Sequence, residues 1–147
     1  MEASTEYPRV IRGAGYAIGD LEALGDGPGF RKVRKGLEVT AFGVNAVVIP
    51  AGIETGFHAH DQQEELYFVH RGTLEMEFGD GSRQRLAAGT FARVDASTMR
   101  KLRNVSDEDA VYLCVGGKGG YVGRDGRAPE GDPGTRARPA DASARET

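Results

Sequence analysis

Two histidines and a glutamate, His58, His60 and Glu65, are side chains of the types that hold a divalent cation through imidazole nitrogen and carboxylate oxygen. His58 and His60 are two residues apart, so on a strand they project from the same face. A loop over 61–64 would then bring Glu65 opposite His60 on the returning strand, with Cβ atoms about 5 Å apart. The spacing predicts a two-His, one-carboxylate site suited to iron, manganese, nickel or zinc. Glu64 is out of phase with Glu65 and shares the face of Leu66 and Phe68, which makes Glu65 the expected ligand. His70 also lies on that second face and is expected to be an ordinary surface or interface histidine.

The same alternation continues through the next segment. With Arg71 and Gly72 as a two-residue turn, Val69 would oppose Leu74, Tyr67 would oppose Met76 and Glu65 would oppose Phe78. Tyr67, Val69, Leu74, Met76 and Phe78 would line an apolar floor below the polar trio, a common composition for a small-molecule site.

Short strands separated by turn residues must position these groups. They are expected at 31–34, 38–49, 56–60, 64–70, 73–78, 83–86, 90–94, 98–103 and 110–115, the rhythm of an all-β sandwich or barrel. Residues 1–30 are Gly-rich and weakly patterned and read as an N-terminal arm, leaving 31–123 for the barrel. The stretch 124–147 has no aliphatic side chain larger than Ala and reads as a disordered tail, because it cannot bury enough apolar surface to offset its ordering entropy.

Composition narrows the partners. With 19 Lys and Arg against 22 Asp and Glu in 147 residues, the net charge of -3 argues against a nucleic-acid partner. No apolar run approaches the roughly 20 residues that span a bilayer, so no membrane is expected. A single cysteine, Cys114, excludes an intrachain disulfide and fits a reducing cytoplasm. Lying in an apolar strand, it reads as a packing residue. The basic run Arg31, Lys32, Arg34 and Lys35 reads as solvated charge on a strand edge, with phosphate binding as the alternative.

Gly52, His58, Ala59, His60, Glu65 and Gly72 resemble the first motif of the cupin superfamily at every fixed position. The resemblance implies a double-stranded β-helix of jelly-roll type, commonly a dimer and here a homodimer, with a metal in the barrel mouth. The second cupin motif falls on Gly89, Asp95, Ser97, Arg100 and Asn104, where only the first and last positions match. Arg100 stands where the resemblance has its fourth ligand, a histidine, so the ligands carried over are His58, His60 and Glu65.

A guanidinium is permanently charged and cannot ligate a metal, which leaves two readings. In one, the three remaining ligands hold the ion and Arg100 clamps the carboxylate of a small anionic molecule, as in a metal-dependent oxygenase, isomerase or decarboxylase. In the other, Arg100 pairs with Glu65, the site is metal-free, and the chain is a non-catalytic binding or sensing module. A purely structural cupin is the third class. The only candidates for a general acid or base are Tyr67 and Asp95.

Overall fold

The computed structural model describes residues 6–129 and the backbone of Arg138 and Pro139. It opens with a hairpin of β1 (Ile11–Gly13) and β2 (Tyr16–Ile18) and a 3-10 turn at Leu21–Ala23. Next come β3 (Gly29–Arg31), helix α1 (Val33–Leu37), β4 (Gly43–Ile49), β5 (Ile53–Glu54) and β6 (Ala59–His60). Then follow β7 (Glu64–Arg71), β8 (Thr73–Phe78), β9 (Arg83–Ala87), β10 (Phe91–Val94), β11 (Arg100–Asn104) and β12 (Ala110–Gly117). Two short pieces, β13 (Gly126–Arg127) and β14 (Arg138–Pro139), complete the described elements.

The strands build two antiparallel five-stranded sheets, β10-β7-β12-β4-β3 and β14-β5-β11-β8-β9, with β6 and β13 forming a short ribbon. Val47, Ile49, Tyr67, Val69 and Tyr112 from the first sheet meet Leu74, Met76, Leu86 and Leu102 from the second in one buried core. The strand rhythm leads to an all-β sandwich or barrel, and the jelly-roll form is the one that the resemblance implies. Among the described residues, no helix is long and apolar enough to cross a membrane.

Strand pairing differs from the expected hairpin. β7 pairs with β10 and β12, whereas β8 pairs with β9 and β11, so the chain passes from one sheet to the other at Gly72. Gly72 has φ +80°, and a Cβ there would lie 2.8 Å from that of Ala110, so the crossing needs glycine. The facing partner of Met76 is therefore Leu102 rather than Tyr67. Alternation fixes which face a side chain takes but not which strand lies beside it.

The basic run is also not a strand. Only Arg31 belongs to β3, and the residues after Lys32 form α1. Gly36 lets that helix sit against Leu24 and Tyr7, since a Cβ there would lie 2.5 Å from Leu24 Cδ2. The region expected as an arm thus has a small core of its own, in which Tyr7, Val10 and Leu24 pack with Val33 and Leu37.

The segment expected as a tail falls partly outside the described residues. Its first part docks on the barrel, with Gly126 and Arg127 pairing with His60 and Ala59. Further on, Arg138 and Pro139 pair with Glu54 and Ile53.

Candidate functional site

His58, His60 and Glu65 come together, by a different route from the expected β6–β7 hairpin. His58 pairs across to Arg100, with His58 N donating to Arg100 O at 2.9 Å and Arg100 N donating to His58 O at 3.0 Å. His60 N donates to Ala96 O at 2.7 Å. Glu65 reaches the same space from β7, on the opposite sheet. The two imidazoles sit edge to face with centroids 5.2 Å apart. Their Nε2 atoms lie 3.6 Å (His58) and 3.2 Å (His60) from Glu65 Oε1.

Glu65 is the hub of the cluster. Its Oε1 accepts from Arg100 Nη2 at 2.5 Å and from the Tyr67 hydroxyl at 2.8 Å, while Oε2 receives the Gln63 amide at 3.4 Å. Burial pushes the Glu65 carboxyl up. His58 and His60, through hydrogen bonds, and the charge of Arg100 outweigh it and hold the group well below the usual carboxylate range. Burial, with the charge of Glu65 added, pushes the Cys114 thiol and the Tyr67 and Tyr112 phenols up, so Cys114 is no thiolate nucleophile. Tyr67 serves as a neutral donor.

Arg100 is fully buried, and its guanidinium is spoken for. Nε donates to the Tyr67 hydroxyl at 3.2 Å, and Nη1 reaches the carbonyls of Asp95 and Ala96 at 3.3 Å and of Thr98 at 2.7 Å. Of the two arrangements open at the sequence level, the pair with Glu65 is the one present.

Asp125 and Gln63 went unnoticed in the sequence. Asp125 accepts from the backbone N–H groups of Gln62 and Gln63 at 2.8–3.1 Å, and its Oδ2 lies 3.7 Å from His60 Nδ1. The backbone N–H of Gln63, the strongest influence on it, holds its carboxyl below the ordinary value. The Gln63 amide donates to His60 Nδ1 at 3.1 Å. His58 Nδ1 is buried without a hydrogen-bond partner.

The cluster opens into a cavity of about 1000 Å³. Tyr67 lines it, and its apolar wall comes from Val47, Ile49, Leu102 and Tyr112. Val69, Leu74 and Met76, expected on the floor, are packed in the core at no more than 1% exposure, and Phe78 packs against that core. A small barrel fills its interior with side chains and leaves space only at its mouth. Glu65 is the one acidic residue of the described lining, facing Arg100 within and Lys32, Arg34, Lys35, Arg124 and Arg127 further out.

The donors fit a divalent ion in kind and proximity, since ligand atoms of His58, His60 and Glu65 lie within 4.8 Å of one another. On Glu65, Oε1 is taken by Arg100 and Tyr67, and Oε2 carries only the long contact with Gln63.

A double-stranded β-helix with clustered histidine and carboxylate donors at its mouth defines a class, and residues 45–116 match the Cupin domain family. The chain belongs to the cupin superfamily. It is similar to a cupin protein from Bacteroides fragilis at 25% identity and TM-score 0.61, covering 71% of this chain and 85% of that one. A conserved protein with a double-stranded β-helix domain from Klebsiella pneumoniae shares the fold at 20% identity and TM-score 0.65, over 77% and 96% of the two chains. The DMSP lyase DddQ from Ruegeria pomeroyi is 25% identical with TM-score 0.53, over 62% of this chain and 45% of its own. Among curated proteins no sequence matches.

Proposed function

We propose that this cupin binds a small anionic molecule in its barrel cavity, beside a divalent cation (iron, manganese, nickel or zinc) held by His58, His60 and Glu65. The observation that carries the reading is the convergence of those donors on a cavity whose other charged side chains are basic. Such an ion would supply Lewis acidity toward a bound oxygen. Around it, Tyr67 holds Glu65 in place. Asp125 stands behind His60, its Oδ2 3.7 Å from the Nδ1 that accepts from Gln63, so its charge rather than a hydrogen bond bears on the ring. A positively charged cavity concentrates anions.

The 2.5 Å contact between Arg100 and Glu65 favours a second reading, a metal-free binding module in which the guanidinium takes the place of the cation. Substituting Arg100 separates the two. Arg100→His removes a permanent charge and offers a neutral imidazole where the resemblance has its fourth ligand. Calorimetric titration of the folded variant should give tighter divalent-metal binding than the parent and weaker binding of small carboxylates. Unchanged or weaker metal affinity would mean that Arg100 does not occupy the fourth ligand position.

A further inference from the structure

The exposed part of the cavity lining comes from segments outside the 45–116 family match. Lys32, Arg34 and Lys35 arrive with α1, and Tyr121, Arg124 and Arg127 with the chain that leaves β12. Two of these cations are neutralised locally: Arg127 by Asp61 at 2.9 Å, and Lys35, loosely, by Glu6 at 4.0 Å. Lys32, Arg34 and Arg124 have no carboxylate partner among the described residues. Arg34 lies over the Tyr121 ring with its Cζ 4.0 Å from the centroid, a stack that holds the guanidinium in place. Phe30 and Tyr121 remain 49% and 44% exposed on the same lining.

Resting on the anionic-ligand reading above, we propose that the ligand is a phosphomonoester with a flat apolar body. Its phosphoryl group sits among Lys32, Arg34 and Arg124, and its body lies against Phe30 and Tyr121 with its inner end toward His58 and His60. Three unneutralised cations call for more than a single negative charge, and a phosphomonoester carries about -1.5 to -2 near neutral pH where a carboxylate carries one. Arginine forks match phosphate oxygens two at a time, and lysine adds a point charge. The exposed surface of Phe30 and the part of the Tyr121 ring that Arg34 leaves open, next to an apolar wall of Val47 and Tyr112, account for the body.

Titration calorimetry of the full-length protein with phenyl phosphate, inorganic phosphate, benzoate and phenol tests this. Phenyl phosphate should bind roughly tenfold or more tightly than each of the other three. The double substitution Arg34→Ser with Arg124→Ser should remove about tenfold of that affinity, and Tyr121→Ser should erase the preference over inorganic phosphate. Arg85→Ser, which removes an exposed charge outside the cavity, should leave all four unchanged. Equal binding of phenyl phosphate and benzoate, both indifferent to the rim substitutions, would overturn the rim assignment while leaving the anionic-ligand reading intact. Binding of none of the anions would overturn both.

Discussion

Strand β11 carries buried cations on both of its faces, and the two are built differently. On the outer face, Arg103 Nη1 donates to Glu75 at 2.7 Å and its Nε and Nη2 donate to Glu54 at 3.2 Å, with Lys101 3.3 Å from Glu54 and Glu77 3.5 Å from Arg103. There every cation has a carboxylate and no histidine takes part. On the inner face, one carboxylate, Glu65, serves Arg100, Tyr67 and two histidines beside an open cavity. The outer network staples sheet strands together, and through Glu77 it reaches Arg83 of β9 as well. Donors exceed carboxylates in the inner one, which therefore has something to offer a ligand.

The largest effect should come from cutting the outer network. Arg103→Ala takes two hydrogen bonds from one oxygen of Glu54, 1% exposed, and the partner from Glu75, with Lys101 left beside Glu54, which costs about 3 kcal/mol. The melting temperature should drop by roughly 10 °C or more, with metal and anion binding by the folded fraction unchanged. Lost binding there would show that the two faces are coupled.

Glu65→Ala should destabilise less, roughly 2–3 kcal/mol, because Arg100 keeps its three carbonyls and the open cavity lets water in. It should abolish metal binding, whereas Glu64→Ala, on the outer face, should not touch it. Equal loss from Glu64→Ala would show that the facing of β7 is wrong.

Acid sharpens the same contrast. The folded-state pKa of Glu65 is depressed, so its stabilising contribution is present above the unfolded value near 4.3 and lost as pH falls below it. The parent should therefore lose stability between about pH 4 and pH 2 more steeply than Glu65→Gln, by up to one proton's worth of slope. Matching acid limbs would mean that Glu65 is not held as an anion.

The smallest effect is expected at Asp125. Asp125→Asn keeps a side-chain oxygen for Gln62 and Gln63 but removes the charge behind His60, so stability should change little and metal affinity should fall about tenfold. Truncation after Gly123, by contrast, should cost several degrees in melting temperature, since it removes Asp125 and β13. A truncated protein with parental stability would show that this docking contributes nothing.

How far the sequence reveals this depends on the kind of order asked for. The two-residue period places Glu65, Tyr67 and Val69 inside and Leu66 outside, and their burial follows it. Period alone cannot say that β7 neighbours β10 and β12, because partner choice rests on long-range packing and on the crossing at Gly72. That is why His60 and Glu65 meet across the barrel rather than along a hairpin, and why Val69, Leu74 and Met76 fill the core. Lys32, Arg34 and Lys35 looked like solvated edge charge because nothing local announces a five-residue helix docked through Gly36. Asp125 was hidden in a polar stretch whose order comes from contacts with residues 60 or more positions earlier.

Metal content decides whether an ion or Arg100 alone faces Glu65. Protein purified without a histidine tag or chelator should carry about one equivalent of iron, manganese, nickel or zinc by elemental analysis, and Glu65→Gln prepared in parallel should carry none. A metal-free parent that also fails to take up any of the four ions on titration would rule out the metal site and leave Arg100 as the cation that faces Glu65.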